Sequence, residues 1–466
     1  MTNFISWNCR GIKNKRDEIR DLISDHRPIC FALQETHLVK HDKITIRGYN
    51  NYRKDFHSSE RASGGVALLI SNDFPHNPVP LNTNIQAIAV QIHIRQVITV
   101  CSIYLPPNDT LQQRDLNSLI NQLPTPFLLL GDFNAHNPLW GSPDTNSRGI
   151  IIEDIITNSC LCILNNGDNT YFHEPSKTFH AIDLIISSPT LFPYFMFSVS
   201  NDLHCSDHFP LFLSFHDFNQ TNHKNSRYIY DRADWATFTT NAIITPAMTE
   251  GNIDRAVAMT TQIIIRAANI AIPKSSGQPK RHCRPWWNEE CQRAKKLQQK
   301  AWGIFRRYPT NSNYILYKQA KANARKIRRK SQKESWINYV SNITSNTSSK
   351  QLWHRVKKAM GIYPNNSISF LKENGQTVTS TKNIANTIGR TLSDISNSDS
   401  YSEPFLTYKR NAERTPINYR NNSSLNYNSP FTGNELQNSL KSCHLSAPGP
   451  DEITYPMVKH LSQNSL

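Results

Sequence analysis

Eight polar residues stand at the ends of apolar runs, where a hydrophobic core has no use for them. "SWN" closes on Asn8, "CFALQET" reaches Glu35, and "VCSIYLPP" presents Tyr104. "PFLLLGDFNAH" ends in Asp132 and Asn134, "HAIDLIIS" carries Asp183, and "CSDHFPLFLSF" places Asp207 and His208 just ahead of an apolar stretch. A strand terminus is where a rigid sheet delivers side chains to one rim. Carboxylates with a few neutral ligands form a hard oxygen set that suits Mg²⁺ better than a soft metal. A histidine next to one acid, with a second acid to orient it, suits proton transfer or stabilisation of a phosphate. Each residue alone has a duller reading: turn formers for Asp132, Asn8 and Asn134, a surface charge for Glu35, a core aromatic for Tyr104. Their repetition at strand ends favours a site.

The elements that must position them are short β-like runs separated by turn residues. Strands are expected over Phe4–Trp7, Ile29–Leu33, Val66–Ile70, Ile85–Ile92, Val97–Tyr104, Phe127–Gly131, Ile182–Ile186 and Pro210–Phe215. Helical spacing falls between some of them, at Lys15–Ser24, Arg114–Gln122 and Ile150–Ser159. Strands joined through both hairpins and helices imply an α/β class: a four-layer sandwich of two packed mixed β-sheets flanked by helices.

Beyond residue 218 the texture changes. A moderately apolar helix is expected around Ile253–Ile272. It is followed by two basic segments with helical spacing, at Leu297, Ala301, Ile304, Phe305 and Tyr308 and at Tyr317, Ala320, Ala324 and Ile327. Residues 1–218 hold 16 Lys+Arg against 21 Asp+Glu, and residues 219–466 hold 36 against 15. Between Lys274 and Met360 the counts are 22 and 3, so this stretch is expected to meet RNA or DNA rather than form an ordinary solvated face. Four segments result: 1–218 as the sandwich, 219–360 as a basic, mostly helical connecting region, 361–428 as an Asn/Ser-rich linker, and 429–466 as the start of a further domain. Ser429 or Thr432 would cap a helix running through Leu440. Nine cysteines without C-x-x-C spacing imply free thiols in a reducing compartment rather than a zinc site. No apolar run approaches about 20 residues, so no membrane span is expected.

The motifs, in this order, resemble the endonuclease/exonuclease/phosphatase superfamily, over residues 1 to about 216. The resemblance implies that Glu35 is the principal Mg²⁺ ligand (Mn²⁺ being the alternative), with Asp207 and Asn8 completing or supporting the shell. It implies that Asp132 positions and deprotonates the attacking water, that Asn134 and Tyr104 hold the phosphate, and that His208, oriented by Asp183, hydrogen-bonds it. Thr170, His180 and Arg148 would contact DNA. Apurinic endonucleases usually have an Asp two residues after the first Asn, where this chain has Arg10. "GDFNAHNPLWGSPDTNSRG" resembles instead the endonuclease of non-LTR, jockey-like retrotransposons, and "SCHLSAPGPDEI" resembles the onset of their reverse transcriptase, with Glu452 where Gly is usual. No Y-x-D-D or F-A-D-D occurs, so no complete polymerase is expected.

These implications amount to a Mg²⁺-dependent endodeoxyribonuclease that nicks double-stranded target DNA and leaves a 3′-hydroxyl primer. Element RNA would bind the basic 274–360 region. Such a protein is expected to be intracellular, in the nucleus where it acts and in the cytoplasm with RNA. The alternatives are an apurinic/apyrimidinic repair endonuclease or another phosphodiesterase or phosphatase of the superfamily, and a non-catalytic nucleic-acid-binding fragment.

Overall fold

Phe4–Asn8, Cys30–Gln34 and Phe127–Asp132 are buried along their whole lengths, so each must be covered on both faces. The computed structural model describes residues 4–58, 61–94, 96–215, 226–275, 284–359, 368, 370–373, 376–416, 432–444, 446 and 448–466. Its strands are β1 (Phe4–Asn8), β2 (Cys30–Gln34), β3 (Tyr49–Lys54), β4 (His57–Ser58), β5 (Arg61–Ala62), β6 (Val66–Ser71), β7 (His76–Val79) and β8 (Gln86–His93). Then come β9 (Val97–Tyr104), β10 (Phe127–Asp132), β11 (Cys162–Ile163), β12 (Tyr171–His173), β13 (Thr178–His180), β14 (Asp183–Ser187), β15 (Phe195–Val199) and β16 (Leu211–Phe215). Helices α1 (Arg16–His26), α2 (Gln113–Asn121) and α3 (Ser147–Asn158) lie between them.

One sheet has the order β15-β16-β1-β2-β6-β3 and the other β11-β14-β10-β9-β8-β7. Each holds one parallel pair, β1 with β2 and β9 with β10, among antiparallel neighbours. Because successive side chains point to opposite faces, each strand feeds two cores. Cys30, Ala32, Leu128 and Leu130 meet between the sheets. Phe31 and Leu33 face Ile19, Leu22 and Ile23 of α1, while Leu129 meets Leu119 of α2 and Ile155 of α3. This is the expected four-layer sandwich. Four strands of the two sheets escaped the sequence reading: "YNNYRK" is too polar to read as apolar alternation, "HNPV" and "CI" are short and "FMFSV" lies beside a Pro-rich turn.

The chain divides into two units that do not follow sequence order: Met1–Phe218 with Arg281–Asn397, and Asn219–Lys280 with Ser398–Leu466. In the first, α7 (Glu289–Arg307) and α8 (Asn311–Ser341) form a hairpin on the sandwich, followed by α9 (Ser349–Ala359), β17 (Leu371–Glu373), β18 (Gln376–Val378) and α10 (Thr381–Ser396). Asn288 caps α7 by accepting from Cys291 N, and Thr310 caps α8 by accepting from Asn313 N. In the second unit are α4 (Trp235–Asn241), α5 (Pro246–Thr249), α6 (Ile253–Ala271), α11 (Glu403–Arg414), α12 (Gly433–Ser442) and α13 (Tyr455–Lys459). There Met457 is buried among Phe238, Ala242, Ile264 and Ala268, and the ring of Trp235 stacks on His460 at 3.7 Å.

Part of the expected linker is thus helical: Ile384, Ile388 and Leu392 recur at four-residue spacing within an Asn/Ser-rich composition. Thr432 caps α12 in a reciprocal pair with Glu435, while Ser429 lies outside the described residues, as do Leu445 and Ala447 of the reverse-transcriptase-like stretch. The eight described cysteines are free, and among the described residues no helix is long and apolar enough to cross a membrane.

Candidate active site

Register brings the polar strand ends together. Asp132 sits opposite Asp183 across the antiparallel β10–β14 pair and beside Tyr104 across the parallel β9–β10 pair. The strand spacing here requires glycine before Asp132: a Cβ on Gly131 would lie 1.9 Å from the Ile103 carbonyl oxygen. From the other sheet come Asn8, at the end of β1, and Glu35, just past β2. The Asn8 amide joins the two rims, with Nδ2 donating to Glu35 Oε1 at 3.0 Å and to Asp132 Oδ2 at 2.8 Å. Tyr104 donates to the same Glu35 oxygen at 3.0 Å, and His37 Nε2 lies 3.3 Å from Glu35 Oε2.

His208 is buried, with Nδ1 2.9 Å from Asp183 Oδ2 and Nε2 3.9 Å from Asp132 Oδ2. Its position is fixed by its own backbone, since its carbonyl accepts from Trp7 Nε1 at 3.0 Å. Glu35, His37, Asn134 and Arg10 are held at positive φ, a conformation that non-glycine residues adopt rarely and that clusters at functional sites. Asn134 is turned back on the strand end, with its backbone N donating to Asp132 Oδ1 and its Nδ2 to Leu105 O, both at 3.0 Å.

The carboxyls differ in charge state because their surroundings differ. Burial alone would raise Glu35, but hydrogen bonds from His37, Asn8 and Tyr104 and the charge of His208 outweigh it and hold the carboxyl at about 2. Asp132 moves the other way: burial and the neighbouring charge of Asp183 raise it well above the carboxylate range, against the pull of His208 and Asn8. Burial opposes the charged form of His208, yet Asp183 and Asp132 overcome it and push the imidazole up to about 10.

The donor chemistry fits a hard divalent cation. Asp132, Asp183 and His208 each offer a ligand atom within 4.8 Å of the others, and Glu35 stands ionised across the Asn8 amide. Asp207 is not in that trio; its Oδ2 is taken by Arg10 Nη1 at 2.5 Å. Arg10, Tyr171, Glu174, Lys177, Asp207 and Tyr314 line an open cleft of about 630 Å³. Tyr171, which the sequence reading passed over, rests its ring 4.6 Å from that of His208. His37 was also missed, although "QETH" sets it two residues after Glu35, and so was Ser206, whose hydroxyl donates to Asn8 O at 2.8 Å.

Two expected DNA contacts are corrected by burial. Thr170 is fully buried, and its Oγ1 accepts from the backbone N–H groups of Ile182 and Asp183 at 3.0 Å each, so it secures the start of β14. Arg148 is buried too, its guanidinium spent on the carbonyls of Leu105, Phe133, Pro106 and Asp109. His180 lies at the partly exposed edge of the β12–β13 hairpin, its Nε2 2.7 Å from Thr178 Oγ1.

Fold and site together place a carboxylate–histidine cluster at the shared rim of two packed sheets. Residues 98–212 match the family model described as endonuclease-reverse transcriptase. The chain is 27% identical over 279 residues to the RNA-directed DNA polymerase from mobile element jockey of Drosophila melanogaster, covering 58% of this chain and 30% of that protein. Its Drosophila funebris counterpart is 27% identical over 214 residues, covering 45% and 23%. The endonuclease domain of TRAS1, a telomere-specific non-LTR retrotransposon, aligns with TM-score 0.40 and 21% identity over 46% of this chain and 96% of that one. An AP endonuclease from Archaeoglobus fulgidus aligns with TM-score 0.38 and 15% identity over 46% and 100%. Over residues 98–212 the sandwich is thus similar to the endonuclease-reverse transcriptase family, and over somewhat more than half of its length the chain is similar to the polymerases of jockey elements. The chain spans under a third of the length of the jockey polymerases it resembles.

Proposed function

We propose that the sandwich is a Mg²⁺-dependent endonuclease that hydrolyses one phosphodiester of double-stranded target DNA and leaves a 3′-hydroxyl to prime reverse transcription of the element's RNA. The observation that carries this reading is a single side-chain cluster in which ionised Glu35 and the Asp132–Asp183–His208 group meet through the Asn8 amide. Glu35 would hold the metal with Asn8 beside it, and Asp207 would join if it left Arg10. When bound, Mg²⁺ supplies positive charge at the phosphoryl and leaving oxygens. Asp132, with its carboxyl raised toward neutrality, takes a proton from the attacking water. His208 Nδ1 is committed to Asp183, which leaves Nε2–H to donate to a phosphate oxygen. Asn134, whose Nδ2 keeps a second hydrogen beside its bond to Leu105 O, and Tyr104, once its hydroxyl leaves Glu35, would be further donors to the phosphate. The water oxygen forms the new P–O bond as its proton passes to Asp132, the bond between phosphorus and the 3′ oxygen breaks, that oxygen takes a proton from solvent, and a 5′-phosphate remains.

Supercoiled plasmid tests the reading. The chain with Mg²⁺ should give open circles whose nicks a DNA polymerase extends, and EDTA or His208→Ala should abolish them. Nicks that persist under either condition, or that cannot be extended, refute it. Abasic-site duplex cleaved in strong preference to intact duplex would instead favour the repair reading, against which Arg10 speaks.

A further inference from the structure

The sandwich is net negative, with 16 Lys+Arg against 21 Asp+Glu in residues 1–218, and carboxylates gather at its candidate active site. A DNA backbone approaching Glu35, Asp132 and Asp183 therefore meets like charge, and of the cleft's cations Arg10 is paired with Asp207, so beyond Lys177 more positive charge is needed. The α7–α8 hairpin is built into the same unit and supplies it.

The hairpin is fixed rigidly. Trp302, Phe305 and Tyr317 are buried against Phe172, Leu203 and Phe209 of the sandwich, and Trp302 Nε1 donates to Asn201 O at 2.9 Å. Ion pairs surround this cluster: Arg328 with Glu18 at 2.8 Å, Arg284 with Asp21 at 3.0 Å and Lys295 with Asp202 at 2.5 Å. Lys318 reaches Glu174 at 3.0 Å, at the lip of the cleft that Tyr171 and Asp207 also line. One face of α8 is thus committed to docking through Tyr317, Lys321, Arg328 and Ser331.

The flank of α8 beside that face is committed only at Lys318, its end nearest the cleft. Lys318, Arg325, Arg329 and Lys333 are exposed and follow one another at spacings of seven, four and four, which is a single stripe on a helix. Arg325, Arg329 and Lys333 make no ion pair among the described residues. At about 1.5 Å per residue the stripe runs about 22 Å from the cleft lip, the length of six or seven base pairs.

We infer that this stripe of α8 is a rail for the phosphate backbone of duplex DNA, leading it to the cleft. The inference rests on the nuclease reading of the pocket. Duplex DNA is favoured over single-stranded RNA because the stripe begins at the lip of the cleft, where the nuclease reading places a duplex.

The test uses the full chain carrying His208→Ala, so that binding is read without cleavage. Arg325→Ala, Arg329→Ala and Lys333→Ala together should weaken binding of a 30-base-pair duplex at least about tenfold. They should also lower the slope of log affinity against log salt by about 2.7, or about 0.9 per lost phosphate contact. A control that removes three charges from α11, with Lys409→Ala, Arg410→Ala and Arg414→Ala, should leave both nearly unchanged. Equal weakening in the control, an unaltered slope in the triple variant, or loss of single-stranded RNA binding alone would each overturn the rail. The melting temperature of each variant confirms folding. Failure of the nuclease reading shows separately, as absence of nicking by the parent chain in Mg²⁺ while duplex binding persists.

Discussion

Replacing Asp183 with Asn keeps the shape of the pocket and removes one charge. The carboxylate lies 2.9 Å from His208 Nδ1, and at an effective dielectric of about 20 two unit charges at that distance attract by about 6 kcal/mol. At about 1.4 kcal/mol per pKa unit, that is about four units. In the parent protein His208 is pushed up to about 10, so Asp183→Asn should return it to about 6. The sign follows from which form is favoured. The pair stabilises the fold at pH values below the ordinary imidazole range, and this contribution fades as pH rises through about 10. The assay is an NMR titration of the His208 ring in metal-free protein held in EDTA, so that no cation shifts the groups. The parent ring should stay protonated across the neutral range and the variant ring should titrate within it. At neutral pH the variant should also nick far more slowly, having lost both the orienting acceptor and most of the imidazolium. A ring that titrates at the same pH in both proteins, or a parent ring that titrates in the ordinary range, would refute the electrostatic argument.

Trp302→Ala should cost about 3–5 kcal/mol in chemical denaturation, because the ring is buried among Phe172, Phe209 and Phe305; a cost under about 1 kcal/mol would mean the hairpin is not docked. Gly131→Ala should yield little folded protein and no nicking, as judged by solubility and circular dichroism, since the added carbon collides with the backbone of β9. Thr170→Val should lower stability by about 1–3 kcal/mol by stranding two backbone donors, while duplex affinity and its salt slope stay at parent values. Arg10→Ala removes an ion pair whose arginine is 63% exposed, so stability should change by less than about 1 kcal/mol; calorimetry should show tighter Mg²⁺ binding once Asp207 is released.

The sequence made the pocket easier to read than its surroundings, for a physical reason. A carboxylate or amide at the end of an apolar run conflicts with burial unless something holds it there, and Asp132, Asp183 and Glu35 each announce that conflict locally. What the run cannot announce is how its neighbours spend their hydrogen bonds. Thr170 and Arg148 look like surface contacts until the β14 backbone and the Leu105–Asp109 loop are seen to consume them. Polar edge strands such as β3 are hidden likewise, because their pairing with β6, rather than their own pattern, makes them strands.

The α7–α8 hairpin is the instructive case. Its basic composition suggested a free nucleic-acid-binding helix, yet Arg328, Lys295 and Arg284 are taken by acidic groups of the sandwich, and Lys321 is largely buried. Charge that belongs to docking and charge that faces solvent look identical in a count of lysines and arginines. They separate only along the helix circumference, where buried Tyr317 marks the docked face and the 318–325–329–333 spacing marks an exposed flank beside it. On the proposed reading, a net-negative sandwich that has to attract a polyanion and a basic hairpin that has to cover its docked face therefore answer each other's requirements. The acidic surface that would repel DNA is also what anchors the cations that can draw it in.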